Sequence, residues 1–301
     1  MEAIGHAHWF ERMLAEQGHE LWVGDAAQIR AGMVRRQKTD PRDAYHILQM
    51  LLENRFPRIW IPSPAERDLR QLLQHRVRLL RFRTSVMNQL HALAMGQGLC
   101  RRKKLWTMVG RRELEGLPFG PWANRRKQEL LEMLDQLSPS IEELDLAVKK
   151  EAASRADVLR LMEQSGVGPV TALAFMLTIG PIGRFPKSKQ VVSYLGLNPT
   201  ESSGGKQRLG SISKKGNSMM RYLLVEAAHV APRFDAELRC NYLRLKFRRG
   251  SAVAKVAIAR KLAVRLYWKL RDVSQPSAMV FLDKADDAIE ESTSELEGCE
   301  V

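Results

Sequence analysis

The chain has 301 residues, 45% of them hydrophobic, enough for more than one domain with a sizeable core. Lys and Arg number 48 against 34 Asp and Glu, giving a net charge of +14 and a pI near 10.0, a balance that points to a polyanion and most directly to nucleic acid. No apolar run reaches the ~18 residues of a transmembrane helix, Met1–Gly18 carries His, Glu and Arg where a signal peptide would be apolar, and three scattered cysteines form neither a disulfide framework nor a CxxC metal site, which fits a reducing cytoplasm.

In chain order, His6–Gln17 reads as an amphipathic helix stopped by Gly18. Glu20–Val23 reads as a short strand, Asp25–Val34 as a helix capped by Asp25, Asp40–Asn54 as a helix with Pro41 in its first turn, and Arg58–Ile61 as another strand. This alternation predicts an α/β domain that begins midway, with further strands expected upstream of Met1. Asp40 and Asp43 stand three apart at a helix start, so both carboxylates share a face. Such a pair suits Mg²⁺, which takes oxygen ligands and keeps waters for a phosphate substrate. The alternative is an acidic helix start without metal, Asp40 as N-cap and Asp43 at N3. Glu2 is a third carboxylate that spacing alone does not single out.

Ser63-Pro64-Ala65-Glu66 is a capping box with Pro just inside, opening a helix to about Met95 with leucines and valines at three- and four-residue steps and arginines over the rest. A loop through Arg101–Lys104 and Gly116–Trp122 leads to a second long helix, Asn124–Ala152. Together they predict an antiparallel helical hairpin, coiled-coil-like and suited to oligomerisation. A short helix at Val158–Ser165, the Gly166-Val167-Gly168 turn and the helix after it match a helix-hairpin-helix pattern. There Gly166 and Gly168 would let turn amides meet a phosphate; a plain helix–helix turn is the alternative. Gln190–Leu197, Met219–Arg233 and the basic stretch Ala252–Arg271 also read as helices, and beyond Gln275 the composition turns acidic, as in a disordered tail.

The most unusual stretch is Ser202–Arg221, SSGGKQRLGSISKKGNSMMR. Its glycines permit close backbone approach, and Lys206, Arg208, Lys214, Lys215 and Arg221 stand among them as anion-binding loops require. A serine at the mouth of such a loop would lie against a phosphate. Serine becomes a nucleophile only with activation, and no His, Asp or Glu follows Glu201 within the stretch, so any help comes from elsewhere in the chain. The alternative is a flexible surface loop with ordinary serine turns.

Glu2-Ala3 with Gly5, His8-Trp9, the Gly18-His19 turn and Lys38-Thr39-Asp40-Pro41-Arg42-Asp43-Ala44 resemble one block of a transposase family. The stretch from Gly166-Val167-Gly168 through Arg184-Phe185, Tyr194-Leu195-Gly196-Leu197-Asn198-Pro199, Ser203-Gly204-Gly205-Lys206, Gly210, Ile212, Lys214, Gly216-Asn217 and Arg221 is similar to its second domain. The family is insertion-sequence family 110, the DEDD transposases guided by a bridge RNA, and the resemblance covers roughly Met1 to Arg271. It implies an α/β plus α fold. Residues 1–62 would be a partial RNase H-like, RuvC-type DEDD domain, 63–155 a long antiparallel helical stalk, 156–273 a mainly helical serine-bearing domain with a helix-hairpin-helix-like motif, and 274–301 an acidic tail. It further implies Mg²⁺ held by Glu2, Asp40 and Asp43, with the family's first Asp expected upstream of Met1. Ser203 would be the nucleophile, or Ser202 if the register slips by one. Gly166, Gly168, Lys206, Arg208, Lys214, Lys215 and Arg221 would contact nucleic acid. The implied partners are donor and target DNA, a structured guide RNA and further copies of the chain, at a cytoplasmic, nucleoid-associated location with no membrane. The alternative function is a truncated, catalytically inactive remnant that only binds nucleic acid.

Overall fold

The computed structural model describes residues 1, 8–31, 39–101, 103–201 and 209–274. Glu2, Ser202, Ser203, Lys206, Arg208 and the acidic tail from 275 onward lie outside the described residues. The chain divides after Ala65 into two compact units. The described residues are mostly helical, with one two-stranded sheet.

The first unit holds α1 (His8–Glu16), α2 (Ala26–Ala31) and α3 (Asp40–Leu52). Asp25 caps α2 as its sequence predicts, its carboxylate accepting from the amides of Ala27 at 2.8 Å and Gln28 at 3.3 Å. The two expected strands correct to extended segments joined by a single antiparallel bridge, Gly24 to Arg58. The Ile59 amide donates to Val23 O at 2.8 Å and the Asp25 amide to Pro57 O at 3.0 Å, but the pairing goes no further. Pro57 and Pro62 bracket the second segment, and neither has an amide to continue a ladder. Gly24 sits where a Cβ would lie 2.6 Å from the Phe56 ring, so the glycine that closes this contact also weakens the strand. Around it Ile29 and Phe56 are buried, and Arg58 lies over the Trp22 ring at 4.8 Å while pairing with Glu20 at 2.8 Å. The α/β reading of this region is therefore not met among the described residues.

The second unit opens on α4 (Pro64–Gly96), whose first two residues still belong to the first unit. It returns through α6 (Pro121–Ala153). The two run antiparallel: Arg76 of α4 pairs with Asp145 of α6, and Arg126 donates to Gln89 Oε1 at 3.0 Å. Their far end is closed by a segment the sequence reads as loop. Lys103–Trp106 forms a 3-10 turn and α5 (Met108–Glu115) lies across the tip, burying Leu105 and Leu114 against Val86, Leu90 and Leu130. Lys127, only 3% exposed, donates to Glu115 O at 2.6 Å and so satisfies a carbonyl at the C-terminal end of α5.

The near end merges into the main core. There α7 (Ala156–Met162), α8 (Pro169–Ile179), α9 (Ser188–Tyr194), α10 (Ser218–Phe234) and α11 (Ala236–Ser274) enclose one apolar cluster. Helix α8, PVTALAFMLTI, carries no charge and no polar face, and a helix apolar all round must be covered all round; α6, α7 and α10 pack on it. Tyr267 of α11 is fully buried and donates to Phe185 O at 3.0 Å, with Pro186 O at 3.2 Å. Arg265 binds Asp235 and Glu237, each at 2.5 Å.

The Gly-Val-Gly turn between α7 and α8 has a structural task. Gly166 has φ +83, and a Cβ there would lie 2.7 Å from Ala227 O and 2.8 Å from Ala231 N, so it is the point where the turn meets the α10 backbone. Gly168, the N-cap of α8, has an ordinary φ of −94 and nothing within 4 Å of its would-be Cβ. Gly166→Ala is therefore expected to lower unfolding stability by about 2 kcal/mol or more, from left-handed strain plus overpacking. Gly168→Ser should hold or slightly raise it, since serine caps a helix better than glycine. Thermal unfolding of both variants decides; equal losses would remove the packing role given to Gly166.

Candidate active site and nucleic-acid surface

The serine stretch is carried by a feature not visible in the sequence reading. Pro199–Glu201 (β1) and Leu209–Ile212 (β2) pair antiparallel, with Pro199 opposite Ile212 and Glu201 opposite Leu209. The link 202–208 thus leaves and re-enters the sheet at adjacent residues. The pairing is irregular between its two registers, and Gly210 accommodates Thr200, whose hydroxyl donates to Ser211 O at 2.9 Å and would lie 2.7 Å from a Cβ at Gly210.

Below the hairpin the backbone interlocks. Gly196, at φ +69, ends the α9 turn where a Cβ would lie 2.0 Å from Lys215 O; Gly216, at φ +74, lies where a Cβ would be 2.1 Å from Tyr194 O. Each glycine makes room for the main chain of the other turn. The Ser213 amide donates to Asn198 O at 2.8 Å and the Lys214 amide to Gly196 O at 3.2 Å, continuing the hairpin into this base. Arg221 of α10 fastens both turns, Nη1 donating to Leu195 O at 3.1 Å and also to Lys215 O. Asn217 caps α10, its Oδ1 accepting from Met219 and Met220 at 3.0 and 3.2 Å, while its Nδ2 donates to Thr178 Oγ1 of α8 at 3.3 Å.

The candidate cations therefore part company. Lys214 and Lys215 are exposed beside the base of the hairpin, whereas Arg221 is engaged in holding main-chain carbonyls. Lys214 has φ 55, a left-handed conformation uncommon for lysine, so the interlock dictates its backbone rather than its own preference. Nearby, the Arg184 guanidinium stacks over the Phe185 ring at 4.7 Å and the Tyr194 ring at 5.1 Å. Arg70 reaches in from α4, its Nε donating to Leu177 O at 3.1 Å; burial draws its pKa below the usual arginine value, and the Arg184 charge works in the same direction. Sequence reading placed Arg70 only among the arginines that cover α4 outside its apolar steps; nothing in helical spacing signals that one of them turns inward to a carbonyl.

Of the acidic candidates, Asp40 and Asp43 come together on one turn of α3, in the first unit. The N-cap is Thr39, extended at φ −140 and ψ 141, so Asp40 is the first helical residue and not the cap; the Asp43 amide already donates to Thr39 O at 3.0 Å, one place further along than a cap bond at N3 requires. Neither carboxylate has a hydrogen-bond or ion-pair partner among the described residues. Two oxygen-donor carboxylates on one turn fit a hard divalent cation in chemistry. No set of three His, Cys, Asp or Glu side chains comes together among the described residues, so a full ligand set needs Glu2 or residues beyond the described ones. No helix among the described residues is long and apolar enough to cross a membrane.

Comparison with known proteins gives this architecture a class. Residues 158–243, which span α8, the hairpin, its base and α10, match the model of the transposase IS116/IS110/IS902 family, and residues 1–96 match that of the IS110-type DEDD transposases. The chain is 31% identical over 280 residues to a probable family 20 transposase of Pseudomonas aeruginosa, covering 90% of this chain and 82% of that one. It is 30% identical over 284 residues to the transposase for insertion sequence element IS1111A of Coxiella burnetii, covering 90% and 76%, and 29% identical over 285 residues to the transposase for IS1328 of Yersinia enterocolitica, covering 89% and 81%. The class is that of the insertion-sequence transposases. Within it, the chain belongs to the IS110 family.

The divided roles of the cations are testable by stability alone. Arg221→Ala should lower unfolding stability by about 1–3 kcal/mol, since two carbonyls lose their donor. Lys214→Gly should leave stability unchanged or raise it by about 1 kcal/mol, since glycine accepts the left-handed conformation freely. Chemical denaturation of both variants checks this; a Lys214→Gly loss matching that of Arg221→Ala would mean that the lysine side chain, not the turn, holds the base together.

Proposed function

We propose that this chain is a DNA transposase that joins strands through a covalent serine link, directed by a structured RNA. The observation that carries the proposal is the family match over 158–243 falling on a hairpin whose base is locked by the Gly196–Lys215 and Gly216–Tyr194 contacts, with the Ser-Gly-Gly link at its end. Ser203, or Ser202 one residue earlier, attacks a DNA phosphorus through Oγ. The Oγ–P bond forms and the bond from phosphorus to one sugar oxygen breaks; the serine proton passes to solvent or a carboxylate, and the departing oxygen takes a proton from solvent to leave as a hydroxyl. Lys206, Arg208, Lys214 and Lys215 hold the strand's phosphates, with turn amides near Gly168 adding contacts that do not read sequence. Arg221 acts in the same region by keeping the base rigid.

Asp40 and Asp43, with Glu2, are the residues that would hold Mg²⁺. The ion's contribution when bound is electrostatic stabilisation of charge on the phosphorane and the departing oxygen. Because the acids and the serine belong to different units, one copy of the chain can supply the acids and another the serine, which makes a homo-oligomer the working form. Donor and target sequence are specified by base pairing to the RNA, and the excess of cations serves the phosphates of both nucleic acids.

The test is a denaturing-gel assay for a protein–DNA adduct, using the full chain with guide RNA, labelled DNA and Mg²⁺. Ser203→Ala should abolish the adduct while leaving binding within about twofold, because one hydroxyl adds little to a many-phosphate interface. Ser202→Ala should keep part of it, and Asp40→Asn should lose both the adduct and Mn²⁺ binding. An adduct lost only in Ser202→Ala moves the nucleophile by one residue. An adduct surviving both serine variants refutes serine chemistry, and tight binding without any adduct in the unaltered chain favours a binding remnant.

A further inference from the structure

Helix α11 is two helices in one. Gly250 interrupts it at φ 84 and ψ 165, a region open essentially to glycine alone, so residues 236–249 and 251–274 meet at a corner. The second arm is anchored in the core through Ala254, Ile258, Leu262, Leu266 and Tyr267. The corner is not: every residue from 246 to 253 is exposed. Phe247 is 93% exposed, and Leu243, four residues back on the same helical face, is 55% exposed.

The charge around this aromatic is one-sided. No carboxylate occurs between Glu237 and Asp272, while Lys and Arg recur throughout. On the anchored arm Arg265 is engaged by Asp235 and Glu237, Lys269 by Glu163 at 2.7 Å, and Arg271 by Pro186 O at 2.5 Å, whereas Lys255 and Arg260 have no ion pair or hydrogen bond with any described residue. Lys246, Arg248 and Arg249 at the corner have no ion pair or hydrogen bond with any described residue. A protein partner that buried Phe247 would have to desolvate these three cations or supply an acid for each. A nucleic acid answers both features at once, phosphates for the cations and a base face for the ring. In a duplex the base faces are covered by neighbouring pairs, so an exposed ring between cations selects an unpaired base.

We infer that the Lys246–Arg249 corner seats single-stranded nucleic acid, with phosphates on Lys246, Arg248 and Arg249 and an unpaired base stacked on Phe247. This rests on the nucleic-acid reading of the chain given above and names a strand-binding element for it other than the serine hairpin.

The test is fluorescence anisotropy of the full chain with three probes at matched salt: oligothymidylate, oligouridylate and a blunt DNA duplex. Phe247→Ala should weaken single-strand binding about tenfold, the size of one stacked base, and leave duplex binding within about twofold, since the cations that meet a duplex remain. Phe247→Trp should restore single-strand binding. Arg248→Ala and Arg249→Ala should each reduce the single-strand salt slope by about 0.7. Both variants at Phe247 should unfold at the unaltered temperature, because the side chain packs on nothing. A stronger effect on thymidylate or on uridylate assigns the seat to DNA or to RNA. Phe247→Ala that weakens duplex and single strand equally, or neither, overturns the stacking seat while leaving nucleic-acid binding intact. Failure of the unaltered chain to bind any of the three would sink the broader reading and this one with it.

Discussion

A helix without a polar face can exist in water only if other elements cover it. That constraint is set by α8, whose Ala172, Leu173, Phe175, Leu177 and Ile179 are all enclosed. The three helices packed on it, α6, α7 and α10, join it to the long hairpin on one side and to the serine-bearing segment on the other. Polar links run outward from the same helix. Leu177 O receives Arg70 from α4, and Thr178 Oγ1 receives Asn217, which in turn caps α10. The base of the hairpin is thus positioned by the core rather than by its own short strands, which are too brief to be stable alone.

That base shows how few residues are needed to fix a loop. Gly196 and Gly216 let two turns approach until backbone meets backbone, and the strain appears two residues before Gly216, at Lys214. A side chain at either glycine would push the turns apart and tilt the hairpin. A base fixed by backbone contacts holds the two ends of the hairpin, Glu201 and Leu209, in one place relative to the core.

The long helices were legible in the sequence because their apolar residues recur at helical steps and the first opens on a strong signal at Ser63-Pro64, whereas the second, read from Asn124, starts three residues earlier at Pro121. The short elements were not. Helix α5 contains a glycine and is bounded by a basic run and a Gly/Pro run; it exists because Leu105, Leu114 and Lys127 give it something to pack on and bond to. Residues 236–249 have charges on most faces and little burial, so no periodicity marks them. Strands β1 and β2 are three and four residues long, and only their pairing defines them. In the first unit the reverse happened: Glu20–Val23 and Arg58–Ile61 have strand composition, yet two prolines and Gly24 reduce them to one bridge. For the site, the family resemblance named the candidate residues, but no pattern in the chain distinguishes Arg221, which fastens two turns, from Lys214, which faces solvent beside it.

The contact between Tyr267 and the Phe185–Pro186 backbone closes the core over a sequence separation of 82 residues. A ribosome adds ~5–20 residues per second, so that stretch alone takes about 4–16 s to make. During the first part of that interval the apolar surface of α8 has emerged while α10, the last of the helices packed on it, does not yet exist. A nascent chain in this state carries its most apolar helix unshielded, the kind of transiently exposed surface on which folding intermediates associate.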